Sequence, residues 1–186
     1  MKRLFTAVHI PPTDPITDAL GHFRAELEGS KINWVSPSNM HLTLKFFGDT
    51  PMRDEPPIKD ALEAAGKEVR PFTFRIKGCG TFGNPRMPRV IWLGIEHADG
   101  LITLYDTINK HLKPLGHKPD KKVFVPHLTI ARVKHLTNHD ALEELLAEYA
   151  EEDFGEVTID RFTLYQSILR PQGPEYVSLL NVKIMC

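Results

Sequence analysis

HLTLKFFG, residues 41–48, has one echo in the chain that keeps an apolar residue after the threonine: HLTIAR, residues 127–132. Each stretch sets a histidine and a threonine two apart in an apolar alternation. In a β-strand, side chains i and i+2 share a face. His41, Thr43 and Lys45 are therefore expected on one side of a strand, with Leu42, Leu44 and Phe46 on the other. His127 and Thr129 likewise oppose Leu128 and Ile130. Each strand presents an imidazole and a hydroxyl on one face and an apolar row on the other. Two such strands side by side would line a groove with two histidines and two threonines.

The rest of the chain supplies a frame. Runs 3–10, 40–47, 72–82, 89–95, 123–133, 161–169 and 175–184 read as strands by alternation and β-branched content. Four helical patterns lie between them. Ile16, Leu20, Phe23 and Leu27 recur at helical spacing, with Thr13 as the expected cap and Gly29 as the stop. Pro56-Pro57 opens a second helix carrying Ile58, Leu62, Ala65 and Val69. Leu101, Leu104, Tyr105, Ile108 and Leu112 mark a third. Leu142, Leu145, Leu146 and Tyr149 mark a fourth, with Asn138 as its cap. The reading is α+β: antiparallel sheets with helices on their outer faces. A division near residues 96–100 gives two halves of similar length, each with one motif, and the chain fits one domain of two lobes.

Composition narrows the function. Lys plus Arg is 23 against 24 Asp plus Glu, so no global basic field exists to grip long nucleic acid. An RNA substrate would be held locally, over a few phosphates. Cys79 and Cys186 make no disulfide framework and read as buried or terminal thiols, which fits a reducing cytoplasm. The opening apolar run is too short for a signal peptide, and no run is long enough to span a membrane.

Paired histidines and threonines suit a phosphodiester. Displacement at phosphorus needs a base on the attacking side and an acid on the leaving side, and histidine serves either role near neutral pH. Threonine hydroxyls can donate to non-bridging oxygens, and Arg132 and Lys45 can offset negative charge. A lone HxT on a strand is usually a structural histidine; two copies in near-identical frames are not. The alternative of metal ligation lacks an HExxH or paired cysteines. The other seven histidines read as surface or satisfied core residues. In an unbroken strand Arg132 would face away from His127, and it reaches the groove only if the strand ends or bulges near Ala131. Phe46 is expected in the core, with base stacking as the alternative. Arg86, Arg89, Lys121 and Lys122 read as solvated, with RNA guidance as the alternative.

The two motifs resemble those of the two-histidine phosphoesterase superfamily. The whole chain is similar to its RNA 2',3'-cyclic phosphodiesterase and 2'-5' RNA ligase family. RLFTAVHIP, MHLTLKFFGD with Trp34 ahead of it, FGNPRMPRVIWLGI, VPHLTIAR and LYQSILRPQGPEYVSL carry the likeness. The resemblance implies a bilobal, pseudo-twofold fold with the motifs facing across a central cleft. It implies opening of an RNA 2',3'-cyclic phosphate to a 2'-phosphate without metal or other cofactor, and a reversible 2'-5' ligation. It makes His41 the acid, His127 the base, and Thr43, Thr129 and Arg132 the phosphate holders. The expected partner is RNA or a nucleotide with a 2',3'-cyclic phosphate end, and the expected working unit is a monomer. A non-catalytic RNA-end-binding module and a metal-dependent phosphohydrolase remain the alternatives.

Overall fold

The computed structural model describes residues 1–84, 86–119, 123–171 and 173–185. Lys121, Lys122 and Cys186, singled out above, lie outside the described residues. The strands are β1 (Lys2–His9), β2 (Lys31–Trp34), β3 (His41–Thr50), β4 (Phe72–Asn84), β5 (Met87–Glu96), β6 (His127–His135), β7 (Asp153–Ile159), β8 (Arg161–Arg170) and β9 (Gly173–Lys183). The helices are α1 (Asp14–Glu26), α2 (Glu55–Gly66), α3 (Asp99–Leu112) and α4 (His139–Glu148).

The strands form two antiparallel sheets, ordered β3-β1-β8-β9 and β2-β6-β5-β4-β7. The α+β reading holds, and each sheet carries one motif strand: β3 in the first, β6 in the second. The division expected near residues 96–100 is not where the sheets separate. Both draw strands from both halves: β1 pairs with β3 on one side and with β8 on the other. Helices cross the same line, with α1 packed on α4 and α2 on α3. Hydrogen bonding between distant segments therefore builds each sheet.

Two strands escape the alternation. β2 has four residues, too few to show a period, and β7 has a burial pattern broken by two successive exposed positions at Gly155 and Glu156. β1 is recognisable for the opposite reason. Its residues Leu4, Phe5, Thr6, Ala7 and Val8 are all buried because it lies between β3 and β8 with both faces covered. The one polar group in that run, the Thr6 hydroxyl, donates to the Thr163 carbonyl at 3.0 Å.

Of the two expected caps, Asn138 accepts from the Ala141 amide at 3.1 Å and starts α4. Thr13 occupies the cap position of α1 but makes no side-chain capping bond. A cap oxygen accepts from the second or third helical amide, and Pro15 stands at the second position with no N–H to give. The apolar faces of the helices close one contiguous core with Phe23, Phe74, Phe162 and Leu62 at its centre. Cys79 is half-buried against this core, and burial pushes its thiol up to about 11. Among the described residues no helix is long and apolar enough to cross a membrane.

Candidate active site

Both motif strands break their alternation at the same place. Opposite β1, Thr43 pairs with Ala7 and Lys45 with Thr6, leaving Leu44 as an extra residue. Opposite β5, Thr129 pairs with Trp92 and Ala131 with Ile91, leaving Ile130 as an extra residue. An extra residue on one strand bends it and shifts the phase of every later side chain. Buried pairs result, Leu44-Lys45 in one strand and Ile130-Ala131 in the other. The fifth residue after each histidine then emerges on the solvent side: Phe46 on β3, 48% exposed, and Arg132 on β6.

Three expectations change with that phase. Arg132 does reach the histidine face, by the bulge condition stated above. Phe46 is not a core residue; its ring lies in the cavity with the Arg3 guanidinium 5.1 Å from its centroid. Lys45 does not share the histidine face. It is buried, and its Nζ donates to the Lys118 carbonyl at 2.7 Å.

The histidines are held alike. His41 Nδ1 lies 2.6 Å from the Asn39 carbonyl, and His127 Nδ1 lies 2.7 Å from the Val125 carbonyl. A carbonyl only accepts, so each Nδ1 carries the proton and donates it. The tautomer is thereby set, and Nε2 is the atom left for proton transfer. Aromatic walls set each ring's orientation. The His41 ring centroid is 5.1 Å from Phe5 and 5.2 Å from Tyr176, the latter edge-on. Phe82 meets His127 edge-on at 4.7 Å and leans against Trp92. Trp92 in turn lies so close over Gly80 that an added Cβ would stand 2.4 Å from the indole. Glycine at 80 is what lets this buttress form.

Burial pushes both imidazoles below the ordinary histidine value; the backbone bonds from Nδ1 oppose that. The positive charge of Arg132 lowers both, and His9, opposite His41 in the β1–β3 register, lowers His41 further. Arg132 is thus electrostatically coupled to both histidines although they stand on different sheets. Burial raises the Tyr176 phenol, with Arg132 and Arg3 opposing the shift.

A cavity of about 520 Å³ brings together His41, Thr43, Phe46 and Arg132, with Arg3, Phe5 and Tyr176 on its wall. His127 and Thr129 are not on that wall. They precede the Ile130 bulge of β6 and Arg132 follows it, and β6 as a whole is in contact with β3. Among the described residues neither motif threonine hydroxyl is used in an internal hydrogen bond, so both are available to a ligand. No cluster of three or more His, Cys, Asp or Glu among the described residues is placed to hold a metal ion. The other histidines have other employment or face solvent: His22 bonds the Tyr149 hydroxyl at 3.0 Å, and His111 bonds Glu68 at 2.8 Å.

Sequence reasoning did not find Arg3, Phe5, Tyr176 or Phe82. They come from β1, β9 and β4, and no local spacing ties any of them to a histidine. In the strand pattern they look like ordinary core or edge residues.

The threonines give a direct check of the faces. Thr→Val keeps shape and strand preference and removes the hydroxyl donor. Thr43→Val or Thr129→Val is expected to cost about 1–3 kcal/mol in kcat/KM on a cyclic phosphodiester, less than a rigid oxyanion donor because water partly replaces a hydroxyl. The thermal midpoint should stay put, whereas Leu42→Ala and Leu128→Ala, both of buried residues, should lower it. The opposite pattern would place the wrong face toward the ligand.

Residues 11–169 match the 2'-5' RNA ligase superfamily. Among curated relatives, the RNA 2',3'-cyclic phosphodiesterase of Thermotoga maritima is 42% identical over 153 residues, covering 80% of this chain and 77% of the relative. That of Methanocaldococcus jannaschii is 35% identical over 174 residues, covering 94% and 96%. Among solved structures, TT0787 of Thermus thermophilus superimposes with a TM-score of 0.80 at 28% identity, covering 98% of this chain and 97% of that one.

Proposed function

The chain belongs to the 2'-5' RNA ligase superfamily, and from that premise we propose that it opens RNA 2',3'-cyclic phosphate ends to 2'-phosphomonoesters by acid–base catalysis with two histidines and no metal ion. The observation that carries this is the matched pair of imidazoles, each with Nδ1 bonded to the carbonyl two residues before it and Nε2 left over.

In the proposed step His127 Nε2 takes a proton from water as the oxygen attacks phosphorus. The bond to the 3' oxygen breaks, and His41 Nε2 gives that oxygen its proton. The 2' ester bond is kept, so the product is a 2'-phosphate and a free 3'-hydroxyl. The histidines finish with exchanged protonation states and reset through solvent. With an RNA 5'-hydroxyl in the place of water, the same displacement forms a 2'-5' linkage, which is why hydrolysis and ligation belong to one site. The direction is supported by enclosure: His41 sits deeper, between Phe5 and Tyr176, while the bond from His127 is on the exposed side, where water arrives.

Thr43, Thr129 and Arg132 hold the phosphoryl oxygens in this reading. The trigonal-bipyramidal phosphorane carries more negative charge on those oxygens than the substrate does, so a fixed cation beside them lowers the barrier. Phe46, exposed in the cavity and covered on one face by Arg3, offers its other face for the terminal base to stack. At the equivalent positions of the two bulged strands, an aromatic ring thus serves the base and a guanidinium the phosphate. Every group in the step comes from one chain, so a monomer is the proposed working unit, in the cytoplasm.

End-group analysis tests the step. An RNA ending in a 2',3'-cyclic phosphate should be converted, in buffer containing EDTA, to a product with a 2'-phosphate. A 3'-phosphate product would reverse the leaving-oxygen assignment, and abolition of turnover by EDTA would favour a metal-dependent reaction.

A further inference from the structure

Two more cavities continue the first along β6. One, of about 630 Å³, opens between β2, β6 and the tip of the β8–β9 hairpin, and shares Arg132, Pro174 and Tyr176 with the histidine cavity. The next, of about 600 Å³, shares Lys134 with the second and is walled by Arg86 of the β4–β5 turn and Arg89 of β5. Neighbouring cavities share lining residues, so the three adjoin in order from His41 outward. The cations along this path are Arg132, then Lys134 with Arg170, then Arg86 and Arg89. Among the described residues no acidic side chain lines any of the three cavities, although the chain has 24 acidic residues against 23 basic ones.

Most of these cations are not neutralised within the protein. Arg170 is paired with Glu175 at 2.8 Å. Among the described residues Arg132, Lys134, Arg86 and Arg89 form no ion pair. Arg132 and Lys134 are two residues apart on a strand, a separation of ~7 Å, which is comparable with the distance between neighbouring phosphates of a single nucleic-acid strand. The bulge at Ile130 that brings Arg132 to the histidines therefore also begins a basic row that leads away from them.

We propose that this path is a track for the RNA strand on the 5' side of the cyclic phosphate, with successive phosphates passing Arg132, Lys134 and then Arg86 and Arg89. The proposal rests on the reading of the histidine cavity as the site of the terminal phosphate. It extends that reading from the end group to the polymer: the enzyme is selective for an oligonucleotide end over a mononucleotide. A path only three cavities long also suits a chain of net charge −1, because a local row of cations attracts a few phosphates without a global basic field.

Equilibrium binding decides it with a ligand that is not turned over. Single-stranded RNAs of one to eight nucleotides, each ending in a 2'-phosphate, are titrated by fluorescence anisotropy against the full-length protein. The dissociation constant should fall by at least about tenfold from one nucleotide to about four, the low end of single-strand site sizes, and then level off. Lys134→Ala with Arg89→Ala should remove that gain and leave mononucleotide binding unchanged. The slope of log affinity against log salt should fall by about 0.7 for each cation removed. Both side chains are exposed, and an unchanged thermal midpoint confirms an intact fold. A wild-type affinity that does not depend on length, or a double variant that keeps the length dependence, overturns the track. Turnover of an eight-nucleotide RNA ending in a 2',3'-cyclic phosphate is measured separately. Its absence would sink the catalytic reading, while the length series still decides the track.

Discussion

Alanine at His41 or at His127 is expected to lower kcat for cyclic-phosphate opening by at least ~10²-fold, the low end for a positioned proton donor or acceptor. That loss corresponds to about 2.7 kcal/mol of barrier. The double variant should be little worse than either single one, because acid and base act in the same step and removing one already disables it. Folding should survive. Each ring makes one hydrogen bond, to a backbone carbonyl two residues away, and neither is a member of the core cluster. The pH profile carries the assignment of roles. The base must be neutral and the acid protonated, so the wild-type kcat/KM profile should be bell-shaped. If His127 is the base, its alanine variant loses the acidic limb; if His41 is the acid, its variant loses the alkaline limb. Limbs lost the other way round would exchange the two roles, and a single variant that keeps most of its rate would remove histidine catalysis altogether.

Arg132→Ala should cost about 10²–10³-fold in kcat/KM, as removal of a preorganised donor to a developing oxyanion does. It should also move the profile. Burial, with Arg132 adding to it, holds both imidazoles below the ordinary histidine value, so the wild-type optimum for kcat/KM should lie on the acid side of about 6.5. Removing the cation favours the imidazolium at both positions, so both limbs should shift to higher pH. A surface arginine that only guides substrate would weaken KM and leave the limbs where they were. Arg132→Lys should restore the limbs toward their wild-type positions and only part of the rate, since lysine supplies the charge without the planar fork. Unchanged limbs in the alanine variant would mean that Arg132 does not act on the histidines.

The part of this protein that could be read from the chain is the part set by local periodicity. Alternation of apolar and polar residues places Leu42 and Leu128 in the core and His41 and His127 away from it, because side chains two apart share a face whatever strand lies alongside. The four helices follow from 3.6-residue spacing, and Asn138 caps one of them with no help from elsewhere. The threonines follow from the histidines by the same period of two.

Period two fails where a strand contains one residue more than its neighbour. The bulges at Leu44 and Ile130 depend on how β1 and β5 pair with the motif strands, and nothing within HLTLKFF or HLTIAR records its partner's register. For that reason alternation puts Lys45 in the groove and Phe46 in the core, whereas the first is buried and the second exposed, and it leaves the face of Arg132 conditional. The sheets themselves are decided by pairing between distant segments. β1 joins β8 across more than 150 residues, as the Thr6–Thr163 bond records, so the division between halves of the sequence does not become a division between sheets. Arg3, Phe5, Phe82 and Tyr176 reach the histidines only through that pairing. By itself, the sequence determined two strands bearing a histidine and a threonine on one face. Tertiary structure decided that one strand ends its motif with an aromatic ring and the other with a cation, because strand register is a property of two segments and side-chain alternation a property of one.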